Sequence, residues 1–144
     1  YRLIEKLHND RLGIIVFAGQ AYVQLPITTD YGSAKLFLET IDTDIIPTQG
    51  TSIGAAIDLA MESFDFKNKT SKAIIVITDG ENHEHGAIIA TEKASAENVT
   101  VHTIGMGSEK GGPIPVYKNG AQIDFRKDNA GNTVVTKHQN QKHV

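Results

Sequence analysis

The chain has 144 residues, 14 basic and 17 acidic side chains, a net charge of −3 and no cysteine. That length fits one domain with a real core, and the charge balance gives no electrostatic footprint for nucleic acid. The absence of cysteine excludes disulfides, thiolate metal sites and a cysteine nucleophile.

The first ten residues, YRLIEKLHND, read as the tail of a helix with Leu3, Ile4 and Leu7 on one face. With Tyr1 in place of methionine and no signal peptide, the chain is expected to be a piece of something longer. No apolar run approaches the roughly 18–20 residues a membrane helix needs. Residues 11–19 (RLGIIVFAG) carry an all-apolar centre and predict a buried strand. Residues 22–27 (YVQLPI) follow after a short connection, which permits only an antiparallel neighbour, and Pro26 argues for an edge position.

Asp30 is a good N-cap for a helix in which Ala34, Phe37, Leu38 and Ile41 recur at helical spacing. Thr48-Gln49-Gly50-Thr51 then breaks the pattern before a second helix over 52–64. That loop delivers Thr51 to a helix N-terminus. Residues 72–79 (KAIIVITD) follow, and their unbroken apolar run predicts a central strand covered on both faces. A third helix over about 87–97 and a strand over 99–107 complete an alternating pattern. Beyond residue 112 the character changes: Asn119-Gly120 is a hairpin signal between short β-prone runs, residues 128–132 mark a second turn, and 133–136 a further small strand. The pattern predicts a three-layer α/β domain with a mainly parallel sheet. Its parts are an α/β core over 1–112, a β-hairpin insertion over 113–137 and a frayed tail over 138–144.

In open α/β sheets ligands bind beyond the carboxyl ends of the strands, which places Asp79 where function resides. Its carboxylate suits a hard cation, with an Asp-Gly turn as the plainer alternative. Thr51 offers a hydroxyl to the same cation, with helix capping as its alternative. A hydroxyl and a carboxylate from separate loops suit Mg²⁺, which keeps waters and takes few protein ligands. Glu81, His83, Glu84 and His85 form an alternative zinc cluster, set against ordinary helix-start acids and loop histidines. His102 falls in an apolar strand and is expected to pack in the core. Ser33, Ser52 and Ser63 lack a nucleophile-elbow context, and neither a dinucleotide fingerprint nor a P-loop is present.

The segments RLGIIVFAG, YVQLPI, TQGTSIGAAI and IIVITDGE, in this order, resemble the von Willebrand factor type A domain, a Rossmann-like fold with one antiparallel edge strand. VFAGQAYVQLPITTDY, PTQGTSIG, ITDGENHE and GGPIPVYKNG further resemble the Bat proteins, bacterial membrane proteins linked to aerotolerance. The resemblance implies a metal-ion-dependent adhesion site built from an Asp-x-Ser-x-Ser loop, a threonine and an aspartate. Thr51 matches the threonine and Asp79 the aspartate; Gly50, Ser52, Gly80 and Glu81 flank them. No Asp-x-Ser-x-Ser occurs in the 144 residues, so the first central strand is expected to be absent and metal binding weak or lost.

The resemblance therefore implies a non-catalytic interaction module that binds a partner carboxylate through Mg²⁺ or Mn²⁺. The Bat resemblance further implies a bacterial protein anchored in the inner membrane, with other Bat proteins and a MoxR-type ATPase as partners; no role for nucleic acid and no membrane insertion by this segment are expected. A metal-assisted hydrolase or phosphatase using Asp79, Glu81, His83 and His85, and a metal-free scaffold, stand as alternatives.

Overall fold

A computed structural model of the chain describes residues 1–42, 45, 48, 50–79, 86–106, 112–113, 115–118, 121–128 and 131–136. The elements run β1 (Leu12–Phe17), β2 (Ala21–Thr28), α1 (Tyr31–Glu39), α2 (Ile53–Ser63), β3 (Lys72–Thr78), α3 (Gly86–Ala96) and β4 (Val99–Gly105), then the short strands β5 (Gly112–Pro113), β6 (Pro115–Lys118), β7 (Ala121–Phe125) and β8 (Val135–Thr136). They group into two compact units, one of Tyr1–Val76 with Asn82–Thr103, the other of Ile77–Glu81 with Ile104–Val144.

In the first unit β1 and β2 form the expected antiparallel hairpin, and among the described residues β2 has no second strand partner, which fits Pro26 on an edge. The register runs Leu12↔Thr28, Ile14↔Leu25 and Ile15↔Val23, so the extra residues of both bulges fall on β2, one of them beside Pro26. A residue that cannot donate to the ladder is tolerated where the ladder is already broken. Because alternate strand residues face opposite ways, Leu12 and Ile14 join a cluster with Ile4, Leu25, Ala34 and Leu38, whereas Phe17 packs against a second cluster. Helix α1 thus lies on one face of the hairpin. Its cap is as expected: Asp30 accepts from the Ser33 N–H at 3.0 Å and from the Ser33 hydroxyl at 2.6 Å.

The second cluster unites Ile53 and Ile57 of α2, Ala90 and Ala94 of α3, Ile74 and Val76 of β3, and Val99 of β4. Ala90 and Ala94 are one helical turn apart, and their small side chains bring α3 close to the sheet. Strands β3 and β4 pair in parallel, as a sheet crossing through a helix requires.

Three expectations need correction. The run over 73–77 is not covered on both faces: Ile74 and Val76 are buried, but Ile75 is 42% exposed and Ile77 57%. Helices α2 and α3 pack on one face only, and the alternation of β3 turns Ile75 and Ile77 the other way. His102 is exposed rather than packed, because Val99 and Val101 take the core-facing positions of β4. The opening helix is a single 3-10 turn, Ile4–Lys6, that buries Ile4 and leaves Leu3 52% exposed, since one short turn presents one side chain to the hairpin. Among the described residues β1–β2 and β3–β4 are separate two-stranded sheets, so one edge of β1 and one of β3 carry no ladder.

In the second unit the Met106 N–H donates to the Thr78 carbonyl at 2.7 Å. Strands β6 and β7 are antiparallel, as are β5 and β8. Of the second turn expected over 128–132, residues 129 and 130 lie outside the described residues; the Asn132 N–H donates to Asp128 Oδ1 at 2.8 Å, and Gly131 has φ +85°. The Asn119-Gly120 turn and the tail over 138–144 lie outside the described residues.

Ile57 is 1% exposed at the centre of the second cluster, so Ile57→Ala is expected to cost about 2–5 kcal/mol in urea unfolding, whereas Ile77→Ala should cost less than about 1 kcal/mol. The Ser33 bonds hold the Asp30 carboxyl below its usual value of 3.8. That stabilisation is present above about pH 4 and is lost as pH falls through the lowered folded value. Asp30→Ala should therefore flatten the decline of melting temperature between about pH 4 and pH 2.

Candidate functional site

The sequence places Thr51 in a loop, and the structure shows what holds that loop. The Ser52 N–H donates to the Ala18 carbonyl at 2.7 Å, and the Gly19 N–H donates to the Thr48 carbonyl at 3.0 Å. Between these bonds Gly50 adopts φ +138°, a conformation that side chains disfavour. A Cβ there would sit 3.0 Å from the Gly19 Cα. Two glycine backbones in near contact, stitched on both sides, carry Thr51 to the carboxyl end of β1.

Thr51 is not the helix cap. Ser52 occupies the N-cap position of α2 and its side chain makes no capping bond. The half-buried Thr51 therefore keeps its hydroxyl, which has no hydrogen-bond partner among the described residues.

Asp79 is the first residue after β3 and is exposed. The strand end that carries it is fixed by the Met106–Thr78 backbone bond, and its carboxylate has no partner among the described residues. Gly80, Glu81, His83, Glu84 and His85 lie outside the described residues. Among the described residues no group of three or more His, Cys, Asp or Glu side chains could hold a metal ion. Thr51 and Asp79 supply two hard oxygens of the kind Mg²⁺ or Mn²⁺ takes, one neutral and one anionic.

Sequence reasoning missed Gly54. It is buried in the first turn of α2, where a Cβ would lie 2.7 Å from the Gly86 carbonyl carbon at the start of α3. The signal was available, because a glycine inside a helix costs about 1 kcal/mol relative to alanine and needs a reason. An open groove of about 460 Å³ lies beside the Gly19 turn, floored by Ala21, Ala55 and Leu59 and rimmed by Asp58 and Glu62. Asp58 is paired with Lys93 at 3.5 Å.

A family model for the von Willebrand factor type A domain matches residues 1–116, and the chain belongs to that family. It is similar to two solved structures: the conserved hypothetical protein BatB from Bacteroides thetaiotaomicron, with 51% identity and a TM-score of 0.83, and an aerotolerance-related membrane protein from Bacteroides fragilis, with 50% identity and a TM-score of 0.82. Each comparison covers 94% of this chain, against 65% and 66% of those chains. An uncharacterized protein of Borreliella burgdorferi is 29% identical over 111 residues, which is 74% of this chain and 32% of that protein. The chain thus spans about a third of that curated relative and just under two thirds of the solved chains. The Bat resemblance read from the sequence holds. No described helix is long and apolar enough to cross a membrane.

Gly50→Ala forces a side chain into a disfavoured φ and against Gly19, and is expected to cost about 1–3 kcal/mol in urea unfolding. Gly86→Ala, whose Cβ meets nothing within 4 Å, should cost nothing in the same assay.

Proposed function

We propose that this domain is a non-catalytic interaction module that holds Mg²⁺ or Mn²⁺ through Thr51 and Asp79 and presents it to a carboxylate of a protein partner. The observation that carries this reading is the state of Thr51: its loop is fixed by two backbone hydrogen bonds, yet its hydroxyl is committed neither to capping α2 nor to another described side chain. A hydroxyl held in place and left uncommitted suits a ligand better than a cap does. Asp79, at the carboxyl end of a strand in a parallel pair, adds the charge. Gly50 and Ser52 orient the threonine through the backbone, and Gly80 and Glu81 flank the aspartate in sequence. The metal supplies Lewis acidity toward an incoming carboxylate; the chain's own residues bind and orient.

Membership of the family and the Bat resemblance support the further reading that the domain serves a membrane-anchored bacterial protein of the aerotolerance type. Other Bat proteins and a MoxR-type ATPase would be its partners, and the anchor would lie in the inner membrane. Two protein ligands predict weak affinity, roughly millimolar, because affinity follows ligand number and charge.

Substoichiometric Mn²⁺ added to the ¹⁵N-labelled chain is expected to broaden the amides of Thr51 and Asp79 before those of Ile57 and Val99. Asp79→Ala should abolish that selectivity and Thr51→Ala should reduce it, while His83→Ala and His85→Ala leave it intact. Uniform broadening, or a loss that follows the two histidines, overturns the reading, the latter in favour of the metal-assisted hydrolase.

A further inference from the structure

Helix α2 presents two faces. Ile53, Ile57 and Met61 take the one turned into the core. Ala55, Asp58, Leu59 and Glu62, at the i, i+3, i+4 and i+7 spacing of a second face, form one wall of the open groove of about 460 Å³ beside the Gly19 turn. The other wall is the turn itself, Gly19 to Ala21. It is fixed by the main chain: the Ala18 N–H donates to the Gln20 carbonyl at 2.9 Å, and the Gly19 N–H to the Thr48 carbonyl at 3.0 Å. The groove is therefore formed before anything enters it.

Its two acids are badly placed for the helix that carries them. Glu62 is the penultimate residue of α2, whose last turn has no basic side chain, so its carboxylate stands at the negative end of the helix. Asp58 lies four positions earlier on the same face, where a like charge repels it. Glu62 has no hydrogen-bond or ion-pair partner among the described residues. Asp58 has Lys93 at 3.5 Å, but the two side chains are 50% and 63% exposed, and such a surface pair contributes little. Neutral side chains at 58 and 62 would suit α2 better. A local choice that works against its own element, beside a preformed groove, marks a surface kept for binding.

We propose that this groove docks an arginine side chain of a protein partner, with its aliphatic stem on Ala21, Ala55 and Leu59 and its guanidinium between Asp58 and Glu62. Residues four apart on a helix hold their Cβ atoms about 5–6 Å from each other. A planar guanidinium with five donors bridges carboxylates at that spacing, whereas a compact ammonium serves one at a time. The apolar floor suits a hydrocarbon stem and a weakly hydrated cation, and among the described residues no third acid or histidine completes a metal site. Small-molecule sites bury about 70–90% of their ligand; an open groove does not, which favours a side chain presented by a protein. The surface shares no residue with the proposed metal site and needs no metal.

The test follows the amide resonances of the ¹⁵N-labelled chain, in EDTA, as the capped peptide Ac-Gly-Ala-Arg-Ala-Gly-NH₂ is added, beside versions with lysine or citrulline in place of arginine. The arginine peptide should shift the Gln20, Ala55, Leu59 and Glu62 amides saturably, the lysine peptide should bind about twofold more weakly and the neutral citrulline peptide about fivefold. Glu62→Gln should weaken arginine-peptide binding about threefold and leave the melting temperature unchanged or higher, because it removes a repulsion. Lys93→Gln, which releases Asp58, should tighten binding about twofold. Glu97→Gln, which removes an exposed acid outside the groove, should not change binding. The docking site is overturned by the absence of a saturable shift, by shifts spread beyond the groove, by equal binding of the citrulline peptide, by a Glu97→Gln effect as large as that of Glu62→Gln, or by weaker binding to Lys93→Gln. A lower melting temperature for Glu62→Gln makes that acid a structural residue and overturns it as well. Equal binding of the lysine peptide overturns the assignment to arginine.

Discussion

The hydrogen bond from the Ser52 N–H to the Ala18 carbonyl joins the end of one strand to the start of the helix that covers it. Short of that bond, the segment before α2 would be a surface loop free to wander, and Thr51 would be one more exposed threonine. The bond and its companion from Gly19 to Thr48 work only because no side chain intervenes where Gly50 meets Gly19. Both bonds are between backbone groups, so almost any side chain could occupy positions 18 and 52 without loosening them. Position 50, by contrast, has a narrow choice. Geometry at this end of the molecule is thus set by the main chain.

The same economy governs the layers. Ile74 and Val76 meet Ile57, Ala90 and Ala94 in one dry cluster, which fixes α2 and α3 on a single face of β3. The opposite face, with Ile75 and Ile77, faces solvent in these described residues. Two isoleucines on one side of a strand are a hydrophobic surface, and among the described residues β1 and β3, in separate two-stranded sheets, each have one edge without a ladder. An uncovered face and an unpaired edge are where strands recruit other chains.

Legibility followed periodicity. The order of elements, the Pro26 edge strand and the Asp30 cap were readable because each is a local event: an alternation, a missing donor, a side chain three residues from its acceptor. Burial of the 73–77 run was misread because an all-apolar strand specifies two hydrophobic faces without saying that both find partners. His102 was misplaced for a related reason, since the register of β4, set by Val99, decides which way it points. Thr51 and Asp79 could be singled out by chemistry and by resemblance, yet composition does not reveal that Ser52, and not Thr51, stands at the N-cap position of α2. The role of Gly54 depends on a residue 32 positions away, Gly86. Contacts of that span leave only an unexplained glycine in the sequence.

Charge explains why a carboxylate, rather than a hydroxyl or an amide, should complete the proposed site. An α-helix N-terminus exposes N–H groups without intrahelical acceptors and behaves as about half a positive charge. Helices α2 and α3 bring two such ends into backbone contact at Gly54 and Gly86, so this region carries roughly one positive charge before any side chain is counted. A divalent cation bound as proposed would raise that to about three. In the proposed site Thr51 would contribute an oxygen but no charge, and Asp79 would remove one unit. A further aspartate of the kind the family resemblance implies would remove another, still leaving about one positive charge. A neutral donor from a partner could fill the open coordination position but not that deficit. An aspartate or glutamate does both, and screening by salt should weaken such a contact more than it weakens the domain that makes it.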